Sequence, residues 1–315
     1  MLGRTANDLF WLSRYIERAE NMARLLEVGY RIVLVPRQGE GFHEEWRSTL
    51  ASAGCEHGFV QKHNEYTTRN VVNYLLFDAE NPSSIRSCLA TARRNARAQR
   101  TAITREMWES LNSAWLEFSQ IEQANVNSSA LVNLLDWIKE RSALWRGALL
   151  NTILRNDTFY FSQLGTFLER ADNTARILDV KYYVLLPQGA NVGSSVDNVQ
   201  WGAILRSVSA HRSYRWVFKE PYRPWRIAEY LILTRQMPRS LAACYGEIGS
   251  ALADLGALYG KRHPCHETAA GTSRLLMEGR IDAIFQSGLH EYLQDFIMRN
   301  NRLGAEISQA YHFTD

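Results

Sequence analysis

"YIERAENMARLLEVGYRIVL", residues 15–34, and "FLERADNTARILDVKYYVLL", residues 167–186, carry the same residue at ten of their twenty paired positions. The charged cluster Glu-Arg-Ala-(Glu/Asp)-Asn-x-Ala-Arg is therefore written twice, and self-similarity at a long fixed offset marks a repeated structural unit. In the first copy Leu12, Ile16, Ala19, Ala23, Leu26, Tyr30 and Val33 recur at steps of three and four. That is the apolar stripe of an amphipathic helix, predicted from near Asn7 to about Val35 and stopped by Pro36, Gly39 and Gly41. In the second copy Leu168, Ala171, Ala175, Leu178 and Tyr182 form the stripe, and Pro187 with Gly189 ends it.

The repetition extends outward from these helices. Trp46 and Leu50 answer Trp201 and Leu205, and "NYLLFDAENPSSIRSC" (73–88) answers "EYLILTRQMPRSLAAC" (229–244), aligning Pro82 with Pro238, Ser84 with Ser240 and Cys88 with Cys244. An offset of 152 links Glu17 to Glu169 and one of 156 links Pro82 to Pro238, so only a few loop residues separate the two registers. The expectation is an all-α helical bundle of about ten helices, one domain over 1–315, built from two duplicated halves, about 1–150 and 151–315, with pseudo-twofold symmetry. Ser83 or Ser84, and Ser240, read as hydroxyl caps that start helices. Leu131, Leu134, Leu135, Ile138, Trp145 and Leu149 predict a further long helix over 131–154, and the helical pattern resumes from Ser273 to His312. Loops are expected at 36–43, 187–196, 219–224 and 261–272.

Composition agrees with a globular helical protein. The 315 residues are 46% hydrophobic, with few Pro (7) and Gly (19), which argues against a many-turned β architecture. A formal charge of +3 gives no basis for a nucleic-acid partner. Cys55, Cys88, Cys244 and Cys265 lack the spacing of a disulfide framework or a paired metal knuckle, so reduced thiols and a cytoplasmic location are expected. No stretch approaches the ~20 apolar residues of a membrane span, and "MLGRTANDLFWLSRYIER" has no apolar core of a leader, so neither anchor nor export is expected. No GxxxxGK[ST], GxSxG or strand-borne GxGxxG occurs, which leaves nucleotide binding and hydrolase chemistry without a motif.

On a helix Glu17, Asn21 and Arg24 share one stripe beside the apolar face, and Glu20 reaches Arg24 at i+4; Glu169, Asn173, Arg176 and Asp172 repeat the pattern. A polar stripe bordering a core is partly desolvated, so each Glu there requires an Arg. If the two helices pack side by side, Glu17 is expected to face Arg176 and Glu169 to face Arg24. Two readings follow. The network is a structural seam that fixes the register of the halves, or it is a pocket in which Arg and Asn hold a carboxylate or phosphate while Glu holds an amine. A di-metal site would need Glu-x-x-His pairs, and neither copy has a His in register. No metal or cofactor is called for.

A second basic line is confined to the first half. Arg86, Arg93, Arg97 and Arg100 lie at i, i+7, i+11 and i+14 with Asn95, Glu106, Trp108 and Asn112 interleaved, either a solvated face or a surface for an acidic ligand or partner. "HPCHE" (263–267) is a weak metal candidate. "HRSYRWVFKEPYRPWR" (211–226) mixes aromatic and basic residues, as a partner surface or as aromatic packing under a loop.

The paired "ERAEN.AR" and "ERADN.AR" blocks, "NPSSIRSCL", "ARRNARAQR…EMWESLN" and "PRS" at 238–240 together resemble the bacterial alpha-E family, an all-helical domain named for its Glu-Arg motif. The resemblance covers nearly the whole chain and places the motif on Glu17, Arg18, Asn21 and Arg24 and on Glu169, Arg170, Asn173 and Arg176. It implies an all-α fold with no settled activity, encoded beside or fused to a circularly permuted ATP-grasp carboxylate–amine ligase, often with a transglutaminase-like peptidase, in a peptide synthesis or modification system. The expected role is an accessory protein that binds the ligase or its acidic or peptidic ligand, with Asn95, Arg97 and Arg100 as further binding residues. An amide-transferring or hydrolysing enzyme with Glu17 or Glu169 as general base is the alternative, although adjacent arginines lower the pKa such a base needs raised. A purely structural helical scaffold is the third reading.

Overall fold

The computed structural model describes residues 1–34, 42–121, 128–184 and 195–313, and within them every regular element is a helix. In chain order these are α1 (Gly3–Val33), α2 (Phe42–Ser52), α3 (Glu56–Val60), α4 (Thr68–Leu76), α5 (Ile85–Ala98), α6 (Arg105–Ser119), α7 (Ser128–Thr152) and α8 (Asp157–Val184), followed by α9 (Ser195–Ser207), α10 (His211–Phe218), α11 (Pro224–Ile232), α12 (Leu241–Tyr259), α13 (Pro264–Glu278), α14 (Ile281–Ser287) and α15 (Leu289–Ala310). The all-α expectation holds, with fifteen helices among the described residues where about ten were expected. The surplus comes from elements such as α3 and α14, too short to display a helical period in the sequence.

The two motif-bearing helices are the centre of the molecule. α1 packs along α8; α5, α7 and α9 also lie on α1, while α12, α15 and α2 lie on α8. The stripe residues are in the core: Leu12, Ala19, Ala23 and Leu26 on α1, Leu168, Ala171, Ala175 and Leu178 on α8. The two helices approach closely at Gly165, where an added Cβ would lie 2.1 Å from the Phe10 carbonyl oxygen. The backbones run the same way, since Phe10 meets Gly165 and Glu17 meets Arg170 further along.

Local signals explain most of the boundaries. Ser84 starts α5 by accepting from the Ser87 N–H, and Ser240 starts α12 by accepting from the Ala243 N–H, as the hydroxyl caps predict. α7 starts three residues before the helix expected at 131–154 and ends two before its close, and its six predicted core residues are buried. Lys219 closes α10 at φ 51° and Pro224 opens α11, so the 219–224 loop is present. The 261–272 loop is a correction: α13 begins inside it, because Pro264 supplies a helical φ at the first turn and the His266 ring accepts from the His263 N–H. The loops expected at 36–43 and 187–196 fall mostly outside the described residues, with α2 already under way at Phe42 and α9 at Ser195. None of the described helices is long and apolar enough to cross a membrane.

The Gly165 contact is testable by a paired substitution. Gly165→Ala drives a methyl into the α1 backbone and is expected to lower the melting temperature. Gly147→Ala, within α7 with nothing inside 4 Å of the new Cβ, is expected to gain about 0.5–1 kcal/mol in thermal or denaturant unfolding.

Candidate functional site

Where α1 crosses α8, the two Glu-Arg dipeptides exchange partners. Arg170 donates from Nε to Glu17 Oε1 and from Nη2 to Glu17 Oε2, both at 3.0 Å. Arg18 donates from Nε to Glu169 Oε1 at 2.5 Å and from Nη2 to Glu169 Oε2 at 3.0 Å. Both pairs are bidentate, the geometry in which a guanidinium and a carboxylate bind most strongly and most directionally. All four side chains are buried or nearly so, with Glu17 only 1% exposed.

The expected partners were Arg176 for Glu17 and Arg24 for Glu169, and the structure corrects this. The helices cross at the Glu-Arg dipeptides, so an arginine seven residues on lies about 10 Å further along the axis. Each instead folds back on its own helix: Arg24 onto Glu20, at 2.9 Å from Nε and 2.6 Å from Nη2, and Arg176 onto Asp172, at 2.6 Å from Nε. The i+4 pairing read from the sequence is therefore present, while the cross-helix pairing uses the adjacent arginine.

Beyond the exchange the two flanks differ. On the Glu17 flank, Arg239 from the turn before α12 donates from Nη1 to Glu17 Oε1 at 2.9 Å and also reaches Glu20. Arg146 of α7 likewise bridges Glu17 and Glu20, Ser142 donates to Glu20 at 2.8 Å, and Arg24 Nη1 donates to the Ser207 carbonyl at 2.8 Å. This flank is closed and saturated. Burial raises the Glu20 carboxyl, but Arg239, with Arg146 and Arg24, outweighs both burial and the neighbouring Glu17 and holds its pKa at about 2. Burial likewise raises Glu17, and Arg170, Arg239 and Arg146 bring it well below the usual range. Burial pulls Arg239 down to about 10, against the attraction of Glu20 and Glu17.

On the Glu169 flank, Arg14 adds a 2.8 Å bond to Glu169 Oε2, and the Arg18 and Arg14 guanidiniums overcome the effect of burial to hold the Glu169 pKa at about 2. A cleft of about 200 Å³ opens here between α1 and α8, beside the end of α2. Its walls carry Arg18, Asn21, Glu169, Asp172, Asn173 and Arg176, together with Ser83 and Gly54. Two buried amide atoms face no partner among the described residues: Asn21 Oδ1 and Asn173 Nδ2, on side chains 2% and 5% exposed. Asn21 Nδ2 makes only a 3.5 Å contact to the Glu169 carbonyl oxygen. A second cleft of about 340 Å³, bounded by Asp179, His290 and Gln294, shares Ser52 and Arg176 with the first.

Arg18, Asn21, Glu169, Asn173 and Arg176 of the expected binding residues thus line one cleft, while Glu17, Arg24 and Arg170 belong to the closed flank. The first-half basic line is separate. α5 ends at Ala98, so Arg100 lies past the helix, over the Trp108 ring at 4.9 Å; Asn95 donates to the Asp8 carbonyl at 3.4 Å, and Arg97 is exposed. In "HPCHE", His266 is buried with Nδ1 on the His263 N–H and Nε2 3.0 Å from the Leu252 carbonyl oxygen, the role of a helix cap. No group of His, Cys, Asp and Glu among the described residues is arranged to hold a metal ion. In 211–226, Tyr214 packs in the core against Phe218, Tyr222 and Tyr230, while Trp216 is 78% exposed. Sequence reasoning missed Arg14, Arg146 and Arg239. For Arg239 a signal existed, since "PRS" carries an arginine where "PSS" carries Ser83.

The chain belongs to the Alpha-E family: the family model, a predicted alpha-helical domain with a conserved ER motif, matches residues 1–312. Neither the curated proteins nor the solved structures compared with the chain give a match. Glu17-Arg18 and Glu169-Arg170 are the Glu-Arg dipeptides of the two repeated blocks, and they are the residues that exchange partners.

Two stability measurements test the network. Because Glu20 and Glu169 titrate at about 2 in the folded state and near 4.5 otherwise, the unfolded chain binds their protons first as pH falls. Their contribution is therefore complete above about pH 4.5 and disappears as pH drops toward 2, so melting temperature should be level near neutrality and fall steeply over that interval. Glu17→Gln leaves Arg170 and Arg239 buried against a neutral group and is expected to cost ~3–5 kcal/mol in denaturant unfolding.

Proposed function

With the chain placed in the Alpha-E family, we propose that it is a binding protein that holds a peptidic ligand with a free carboxylate in the α1–α8 cleft and serves an ATP-grasp carboxylate–amine ligase. The observation that carries this reading is the pair of buried, unpartnered amide atoms, Asn21 Oδ1 and Asn173 Nδ2, on the wall of a cleft that also holds Arg18 and Arg176. Leaving a buried polar atom unpaired costs about 1–3 kcal/mol, so two in one place mark a surface that a ligand completes. An acceptor and a donor on residues that line the same cleft, with a partly exposed guanidinium at Arg176, match the amide and carboxylate groups of a peptide.

The ligase association comes from the family resemblance, and one surface feature suits it. Arg86, Arg94 and Arg97 on α5 are exposed and make no ion pair among the described residues, which leaves them open to an acidic partner.

Catalysis by Glu17 or Glu169 has less support. A general base needs a pKa near the working pH and a lone pair to accept the proton. Both carboxylates are held low and already accept two or more guanidinium bonds. The scaffold reading describes the Glu17 flank well and leaves the open flank without an account.

Titration calorimetry of the chain with dipeptides and their C-terminal amides tests the proposal. Free dipeptides should bind, the amides should bind roughly tenfold more weakly, and Asn173→Ala should weaken binding with the melting temperature maintained. Failure of every dipeptide to bind would remove the reading. Co-expression with an adjoining ATP-grasp ligase is expected to yield a complex that Arg97→Glu with Arg100→Glu weakens.

A further inference from the structure

One aligned position contributes to the difference between the flanks, beside the Arg146 and Ser142 that α7 adds to the Glu17 side. Pro238-Arg239-Ser240 and Pro82-Ser83-Ser84 stand in corresponding places, each before a helix that the serine at its third position caps. Arg239 enters the Glu17 flank and bridges two carboxylates one helical turn apart, Glu17 and Glu20. At the other flank the corresponding carboxylates are Glu169 and Asp172, and the corresponding residue is Ser83, whose short side chain lines the cleft. The backbone there is held by Asn81, whose Oδ1 accepts from the Ser83 N–H at 3.0 Å.

The acceptors left on this wall are those a cation needs. Asp172 Oδ2 takes Arg176 Nε at 2.6 Å, but Asp172 Oδ1 has only a 3.4 Å contact. Asn21 Oδ1 has no partner, and no cation among the described residues bridges Glu169 and Asp172 as Arg239 bridges Glu17 and Glu20. Charge permits one more cation. The closed flank accommodates Arg24, Arg146, Arg170 and Arg239 around its two carboxylates, whereas the open flank has Arg14, Arg18 and Arg176 around its own.

Resting on the peptide-binding reading above, we propose that the ligand carries a basic side chain, and that its guanidinium or primary ammonium seats between Asp172, Glu169 and Asn21 in the space Arg239 fills on the opposite flank. The protein supplies one such cation from its own chain and takes the other from its ligand. The main chain of the ligand then lies toward Asn173 and Arg176, the latter shared with the lining of the second cleft.

The experiment is titration calorimetry of the full chain with alanyl-arginine, alanyl-citrulline and alanyl-glutamate, citrulline keeping the shape of arginine without its charge. Alanyl-arginine should bind about tenfold or more tightly than alanyl-citrulline. Ser83→Arg should fill the cleft with an internal guanidinium, abolish alanyl-arginine binding and raise the melting temperature, while Ser83→Ala retains binding. Should Ser83→Arg fail to fold, Asp172→Asn replaces it and should remove the preference for arginine over citrulline. If alanyl-citrulline or alanyl-glutamate binds as tightly as alanyl-arginine, the basic-group inference falls and the peptide site stands. If none of the three binds, both fall. Undiminished binding by a folded Ser83→Arg protein overturns the placement.

Discussion

The fold depends on the exchange of two ion pairs at one helix crossing. Charges as buried as Glu17 and Glu169 are tolerable only when paired and hydrogen-bonded, and each finds its bidentate partner on the other helix. Sliding α8 along α1 by one residue would turn its side chains by about 100° and unpair both carboxylates together. Apolar stripes alone would accept several nearby registers, because hydrophobic contact is not directional. The exchange selects one, and Gly165, packed on the Phe10 carbonyl oxygen, lets the two backbones come close.

From that fixed crossing the two flanks depart through what their neighbours contribute. Arg239 arrives from the turn before α12, a helix packed on α8, yet its guanidinium reaches the carboxylates of α1. It thereby ties the outer layer to the far central helix, and Thr174 of α8 holds the same turn by donating to the Arg239 carbonyl at 2.7 Å. The Ser83 turn occupies the corresponding place in the chain without spanning the gap, so Glu169 and Asp172 border open space. A closed ionic lattice and a cleft thus arise beside similar local sequences, with arginine or serine at one aligned position and with Arg146 and Ser142 of α7 added on the closed side.

Much of the fold was legible because helical periodicity is a property of neighbouring residues. The stripes of α1, α7 and α8 and the caps at Ser84 and Ser240 all follow from side chains within a few positions of one another. The partners of the charged residues were not legible in the same way. Spacing on one helix gives Glu20 to Arg24 and Asp172 to Arg176, but it contains no information on where a second helix crosses, and the cross-helix partners came out six residues away from those expected. Arg146 and Arg239 approach from elements remote in sequence, and only the second left a trace, as an arginine opposite a serine. The basic line through Arg86, Arg93, Arg97 and Arg100 assumed an unbroken helix, whereas the chain turns at Gln99 and takes Arg100 onto Trp108.

A seam of apolar side chains would hold α1 against α8 at least as firmly, since replacing buried ion pairs by well-packed hydrophobic groups is commonly neutral or stabilising. Ions at this crossing therefore bring something other than strength. They fix the rotation of both helices, and with it the positions of Asn21 and Asn173, each one turn beyond its Glu-Arg dipeptide and both among the residues that line one cleft. They also keep Glu169, on the cleft wall, charged down to strongly acidic pH, because the Arg18 and Arg14 guanidiniums hold its pKa at about 2. A site assembled this way is preorganised: the crossing that determines the fold is the same element that orients the groups a ligand would meet.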